Sequence, residues 1–258
     1  MSITSLLVAV LPVILIGLYI YKKDKLKESS NLLFKLFMGG VWSCFPAVAI
    51  GTTVDSFLHL PDTDQMNFIQ LFFYVFIVIA LVEEISKWFF VYKISYNHNE
   101  FDSLYDMIVY ASFVALGFAC FENILYVSSS GIVTGLLRAV SAVPGHVCDG
   151  ILMGSYLSLA KVNQLNGNME LSKKYKILSI LIPTITHGIY DYCLFLKNPL
   201  FLFIFLVFVV NLFIICIKKV KNISNNNYKF FRKNTYCVNC GNMINGSKFC
   251  TRCGKENN

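Results

Sequence analysis

Phe68 to Tyr92 reads FIQLFFYVFIVIALVEEISKWFFVY, and this stretch decides the fold. Fifteen residues before Glu83 carry no charge, and Trp88–Val91 is apolar again. A run of this length crosses a bilayer as a helix, which needs roughly 20 apolar residues. Yet it holds Glu83, Glu84 and Lys87. An ionisable side chain at the bilayer centre costs about 2.5–3.5 kcal/mol on insertion scales, so such residues mark function or a buried partner.

Working outward, six more apolar runs have the same character. The spans are predicted at 2–20, 32–52, 68–92, 107–129, 136–160, 176–196 and 199–217. The fifth is the least uniform, with Gly131, Gly135, Arg138, Pro144, Gly145 and Gly150, and reads as a short helix followed by a span broken near Pro144-Gly145. The composition agrees: of 258 residues, 56% are hydrophobic and only 14% charged, against roughly 25% charged in a soluble domain. The predicted fold class is therefore all-α, a polytopic transmembrane helical bundle of about seven spans, with a small C-terminal zinc ribbon.

The net charge of +7 is concentrated between spans and in the tail. Lys22, Lys23, Lys25 and Lys27 follow the first span, Lys161, Lys173, Lys174 and Lys176 flank the loop after the fifth, and Lys218, Lys219 and Lys221 open the tail. The loop 53–66 has Asp55, Asp62 and Asp64 and no Lys or Arg. Basic loops stay in the cytoplasm, so a cell-membrane location is expected, with the N-terminus outside and the C-terminus inside. The first apolar run, its basic cluster behind it, reads as a retained span rather than a cleavable signal. Basic residues distributed this way suit anionic lipid; no nucleic-acid partner is predicted.

The chain divides into a membrane domain over 1–220, an Asn-rich linker over 221–235 and a compact module over 236–258. That module holds Cys237-Val238-Asn239-Cys240-Gly241 and Cys250-Thr251-Arg252-Cys253-Gly254, two copies of one pattern. Four thiolates on two tight turns suit one structural Zn²⁺. A segment this short lacks the core to fold alone, so the metal supplies the folding energy. The other cysteines, among them Cys44, Cys148 and Cys216, sit singly in apolar runs and read as small buried side chains.

Further polar residues inside spans include Glu122 and Tyr126 in the fourth, His146 and Asp149 in the fifth, and His187 and Asp191 in the sixth. Glutamates and histidines on four spans can converge on one cavity, as ligands of a metal or as groups that activate water. Glu83 shares a helix face with Lys87, whereas Glu84 points about 100° away. Glu83 is therefore expected to face the cavity and Glu84 to sit beside it. The predicted helix ends place Glu83 and Glu122 at depths differing by roughly 10 Å.

The ordered set of motifs resembles the PrsW family of intramembrane proteases, relatives of the CAAX prenyl proteases. Glu83-Glu84-x-x-Lys87 is similar to the family's first motif, Phe121-Glu122-x-x-x-Tyr126 to its second, His146 to its third and His187-x-x-x-Asp191 to its fourth. The resemblance implies peptide-bond hydrolysis at the membrane, often of an anti-sigma factor in stress signalling, on a membrane protein substrate expected to be single-span. It makes Glu83, Glu84, Glu122, His146 and His187 the catalytic candidates, with Lys87, Tyr126 and Asp191 in support. A catalytic metal such as zinc and a metal-free glutamate mechanism both fit. The competing reading is a non-enzymatic transporter or a sensor scaffold that reads zinc through its tail.

Overall fold

The computed structural model describes residues 2–225, 239, 240, 250 and 252–255. Among the described residues seven long helices follow one another: α1 (Ile3–Lys23), α2 (Ser30–Leu58), α3 (Phe68–Ser95), α4 (Asp106–Val140), α5 (Ala142–Leu165), α6 (Met169–Phe195) and α7 (Pro199–Asn225). Ser2, Ser29 and Asn67 cap α1, α2 and α3 through their side-chain oxygens, and Asn168 does the same for α6. These caps satisfy amides that a helix start leaves unpaired.

Among the described residues six stretches are long and apolar enough to cross a membrane, and the longest, Asp106–Leu165, contains α4 and α5. It is folded back on itself. Gly131 takes φ 84°, a conformation that suits glycine, and turns the chain into a short arm that ends at Ser141. Helix α5 then returns against α4. The break thus falls at Gly131 and Ser141, not at Pro144-Gly145. Pro144 lies in the first turn of α5, where a missing N–H costs no hydrogen bond.

Helix α4 is the hub. It packs against α1, α2, α3 and α5, and its residues from Asp106 to Cys120 are almost all buried. Close approach makes this possible. A Cβ on Gly40 of α2 would lie 1.9 Å from the Val114 carbonyl oxygen, and one on Gly117 of α4 would lie 1.9 Å from the Phe37 carbonyl oxygen. Between membrane helices, where lipid tails are as apolar as leucine, such backbone contact replaces the hydrophobic drive. The outward faces carry large apolar residues such as Phe34, Phe57, Phe203 and Leu206, as contact with lipid requires.

At the end of the bundle where α1 meets α2, Glu28 is buried and accepts a hydrogen bond from Tyr110. Burial pushes its carboxyl up to about 9; the Tyr110 bond opposes this, and the nearby Asp106, Asp24 and Glu100 add to it. The fold therefore holds a proton that the open chain, at 4.5, has released. Stability is expected to fall as pH rises through that window. Glu28→Gln, which keeps a neutral partner for Tyr110, is expected to flatten this slope and raise the unfolding temperature at pH 8 by about 2–4 °C. Thermal unfolding across pH 5–9 checks it; an unchanged slope in the variant refutes it.

Candidate active site

Helix α3 changes winding just before its charged motif. Tyr74–Ala80 is π-helical, and regular α-helix resumes at Leu81. Single π-turns are a common feature of functional sites. Beyond it, Lys87 bridges both glutamates, its Nζ lying 2.8 Å from Glu84 Oε1 and 3.4 Å from Glu83 Oε2. His187 of α6 also faces both, with Nδ1 2.9 Å from Glu84 Oε1 and Nε2 3.8 Å from Glu83 Oε2. The two carboxylates therefore meet on one centre although their Cα positions diverge around the helix. Long side chains from Lys87 and His187 close the gap. Glu84 is the more enclosed, at 0% exposure against 17% for Glu83, which lines the open cavity. Glu83 lines the cavity, and Glu84 lies enclosed beside it, bonded to Lys87 and His187.

From α4, Glu122 reaches the same place. The offset of roughly 10 Å expected from the span ends does not separate the two glutamates, which line one cavity. Glu122 Oε2 lies 2.8 Å from His146 Nε2 and 2.6 Å from Arg138 Nη2. The other nitrogen of His146, Nδ1, lies 3.2 Å from Lys87 Nζ. An ammonium can only donate, so Nδ1 accepts and Nε2 carries the hydrogen that Glu122 receives. Arg138 comes from the arm beyond Gly131, stacks 3.9 Å above the Tyr126 ring and donates from Nε to Asn123 at 3.2 Å. It holds the folded-back arm against the site.

Helix α6 supplies His187, Asp191 and Thr186. His187 Nε2 lies 3.3 Å from Asp191 Oδ2, so both its ring nitrogens face carboxylates. Thr186 donates to Asp149, which stands one turn after His146. Gly188 admits the Phe76 ring of the π-helical stretch, which a Cβ would meet at 2.5 Å. That contact sets the height of His187 against α3.

These groups surround a cavity of about 90 Å³, lined among others by Glu83, Glu122, Arg138, His146, Asp149, His187 and Asp191. Its volume holds water. Glu84, His146, Asp149 and His187 each offer a ligand atom, all within 4.8 Å of one another. Glu84 Oε2 is buried with no hydrogen-bond partner. Two imidazoles and two carboxylates, one of them with an orphaned oxygen, fit a divalent metal. Lys87 occupies Glu84 Oε1 and His146 Nδ1, so a metal bound through His146 would displace that ammonium from Nδ1 while Nε2–H stays on Glu122.

All eight residues expected at the site surround this cavity or bond to those that do, with Tyr126 half-exposed at the rim. Arg138, Asp149 and Thr186 line the same cavity and lie outside the set expected from the motifs. Arg138 could have been found by the rule that led to Glu83: a charge inside an apolar run has a partner. In the tail, ligand atoms of Cys240, Cys250 and Cys253 lie within 4.8 Å of one another, with 3.6 Å between the Cys240 and Cys250 sulfurs; Cys237 falls outside the described residues.

A multispan helical bundle with carboxylates, imidazoles and a buried lysine around an intramembrane, water-sized cavity defines a membrane-embedded hydrolase. The comparisons make the class specific. The family model described as "PrsW family intramembrane metalloprotease" matches residues 28–217. A protein named Protease PrsW in Oceanobacillus iheyensis is 38% identical over 208 residues, 81% of this chain and 90% of that one. Proteins of the same name are 28% identical in Clostridioides difficile, over 90% and 96% of the two chains, and 33% identical in Bacillus subtilis, over 68% and 76%. No solved structure matches. The chain belongs to the PrsW family of intramembrane proteases. Family membership favours hydrolysis over transport or sensing.

Proposed function

We propose that this chain cuts single-span membrane proteins, anti-sigma factors among them, at a peptide bond brought to Glu83. The observation that carries the reading is the convergence of Glu83, Glu122, His146 and His187 from α3, α4, α5 and α6 on one cavity. Glu83 lines that cavity and is the base that takes the proton of the attacking water. Lys87 and His187 hold its carboxylate in place, at 3.4 and 3.8 Å. Glu122, fixed by Arg138, sets the tautomer and angle of His146. Asp191 orients His187 in the same way. A metal held by Glu84, His146, Asp149 and His187 would lower the pKa of water and polarise the scissile carbonyl. Co-expression of tagged single-span proteins with the wild type and with Glu83→Gln tests the reading. Fragments that appear equally with both chains would refute it.

A cleft of about 270 Å³ between α2, α3 and α4 supports a route for the substrate. Ala47, Val48 and Gly51 form one wall, and Glu83, Glu122, Ile79 and Tyr126 line both this cleft and the catalytic cavity. Val48 is 57% exposed and faces the lipid. A substrate segment entering there reaches the carboxylates without crossing a helix. Val48→Trp should lower cleavage by about tenfold or more at equal abundance, by misplacing the scissile bond. Unaltered cleavage would move the entrance elsewhere.

We place the basic ends of α1 and α7 in the cytoplasm, following the positive-inside rule. The tail is then in a reducing compartment, where Cys237, Cys240, Cys250 and Cys253 hold one structural zinc rather than disulfides. Metal analysis of the purified full chain should lose one zinc on Cys250→Ser, with cleavage retained when the chain is cut after Lys221. Complete loss of cleavage in a normally inserted truncation would mean that the tail recruits substrate.

A further inference from the structure

On the side of α5 away from the catalytic cavity lies a second, larger groove. Its volume is about 440 Å³, its floor is α5, and its walls are α1 and α7. The floor is a single helical stripe, Val147, Cys148 and Ile151, and the walls include Ile16, Ile20 and Cys216. His146 and Asp149 project from the other face of the same helix. The groove is almost wholly apolar except at one end, where Tyr19 and Lys221 line it and the Lys23 ammonium stands 6.0 Å from the Tyr19 ring. The two walls are joined at that end. Ser224 of α7 donates to the Lys23 carbonyl, and Lys25 Nζ donates to the Asn225 carbonyl at 3.0 Å.

We propose that this groove binds one anionic phospholipid, with an acyl chain along α5 and the phosphate between Lys23 and Lys221. Charge complementarity selects the occupant. An apolar slot of ligand-site size ending in two cations from different helices, at the level where basic residues meet headgroups, matches a lipid that is apolar along its length and anionic at one end. A substrate helix fits the groove less well, since α5 stands between it and Glu83. A lipid seated there supports α5 from behind and so holds His146 and Asp149 at the site.

The test uses the full chain, purified in mild detergent and titrated with dioleoyl phosphatidylglycerol or dioleoyl phosphatidylcholine under native mass spectrometry. The wild type is expected to retain one phosphatidylglycerol, preferred over phosphatidylcholine by about tenfold or more. The double variant Lys23→Ser and Lys221→Ser, at one half-buried and one exposed lysine, should remove that preference without lowering the unfolding temperature. Cys216→Trp, which fills the slot, should reduce retention of both lipids. Equal retention of the two lipids by the wild type, or an unchanged preference in the double lysine variant, overturns the proposal. So does a photocrosslinker at Ile217 that captures a single-span substrate in place of phosphatidylglycerol in mixed vesicles.

Discussion

Glu83→Gln is expected to insert and accumulate like the wild type and to lose cleavage by a factor of about 10²–10⁴, the range that a general base contributes. Glutamine keeps the volume and the hydrogen-bonding shape of the side chain but cannot take a proton from water. The stability cost is small, because Glu83 is partly open to the cavity and its 3.4 Å contact with Lys87 duplicates the shorter one made by Glu84. Glu84→Gln should differ in kind. Glu84 is fully enclosed, touches Lys87 at 2.8 Å and His187 at 2.9 Å, and belongs to the donor set that fits a metal. Its loss should lower cleavage and thermal stability together. Assays at equal membrane abundance, paired with unfolding curves, separate the two. Full activity in Glu83→Gln would remove the base, and normal stability in Glu84→Gln would mean that its buried contacts contribute little.

The membrane character was legible in the sequence because length and apolarity alone specify a span. The candidate residues were legible for a related reason: lipid makes a charge conspicuous. Two features were not. Helical periodicity places Cα atoms, so it separated Glu83 from Glu84; the reach of Lys87 and His187 reunites them, and side-chain reach across helices is a tertiary fact. The turn at Gly131 was equally hidden. The sequence around Pro144 and Gly145 looked like the break, yet a proline in a first turn breaks nothing, and the positive φ of Gly131 is visible only once the arm has folded back. Arg138 belongs to that arm, and its 2.6 Å bond to Glu122 exists only once the arm has folded back. The place of Asp149 is hidden for the same reason, since its partner Thr186 lies on another helix.

Lys87→Met should be the most damaging single substitution for the fold. Methionine follows the same path as the lysine stem but carries no charge. The ammonium it removes is 2% exposed and serves Glu84, Glu83 and His146 Nδ1 at 2.8, 3.4 and 3.2 Å, with the Phe118 ring 3.9 Å away. The enclosed Glu84 and the partly open Glu83 would then share His187 alone. Removing one partner of a buried ion pair costs about 3–5 kcal/mol, since the other charge stays buried without compensation. The expected result is a large fall in membrane abundance and in unfolding temperature. Lys87→Arg should not rescue it, because the planar guanidinium is larger than the slot between Glu84, His146 and Phe118. The double variant Lys87→Met with Glu84→Gln should recover much of the loss, as coupled neighbours do in a double-mutant cycle. Chelation supplies the second arm. A divalent ion among Glu84, His146, Asp149 and His187 would provide the missing positive charge, so Lys87→Met would then be mild in metal-replete detergent and severe after chelation. Equal damage in both conditions would leave Lys87 as the counter-charge of the glutamate pair, and wild-type stability in both would refute the ion-pair account.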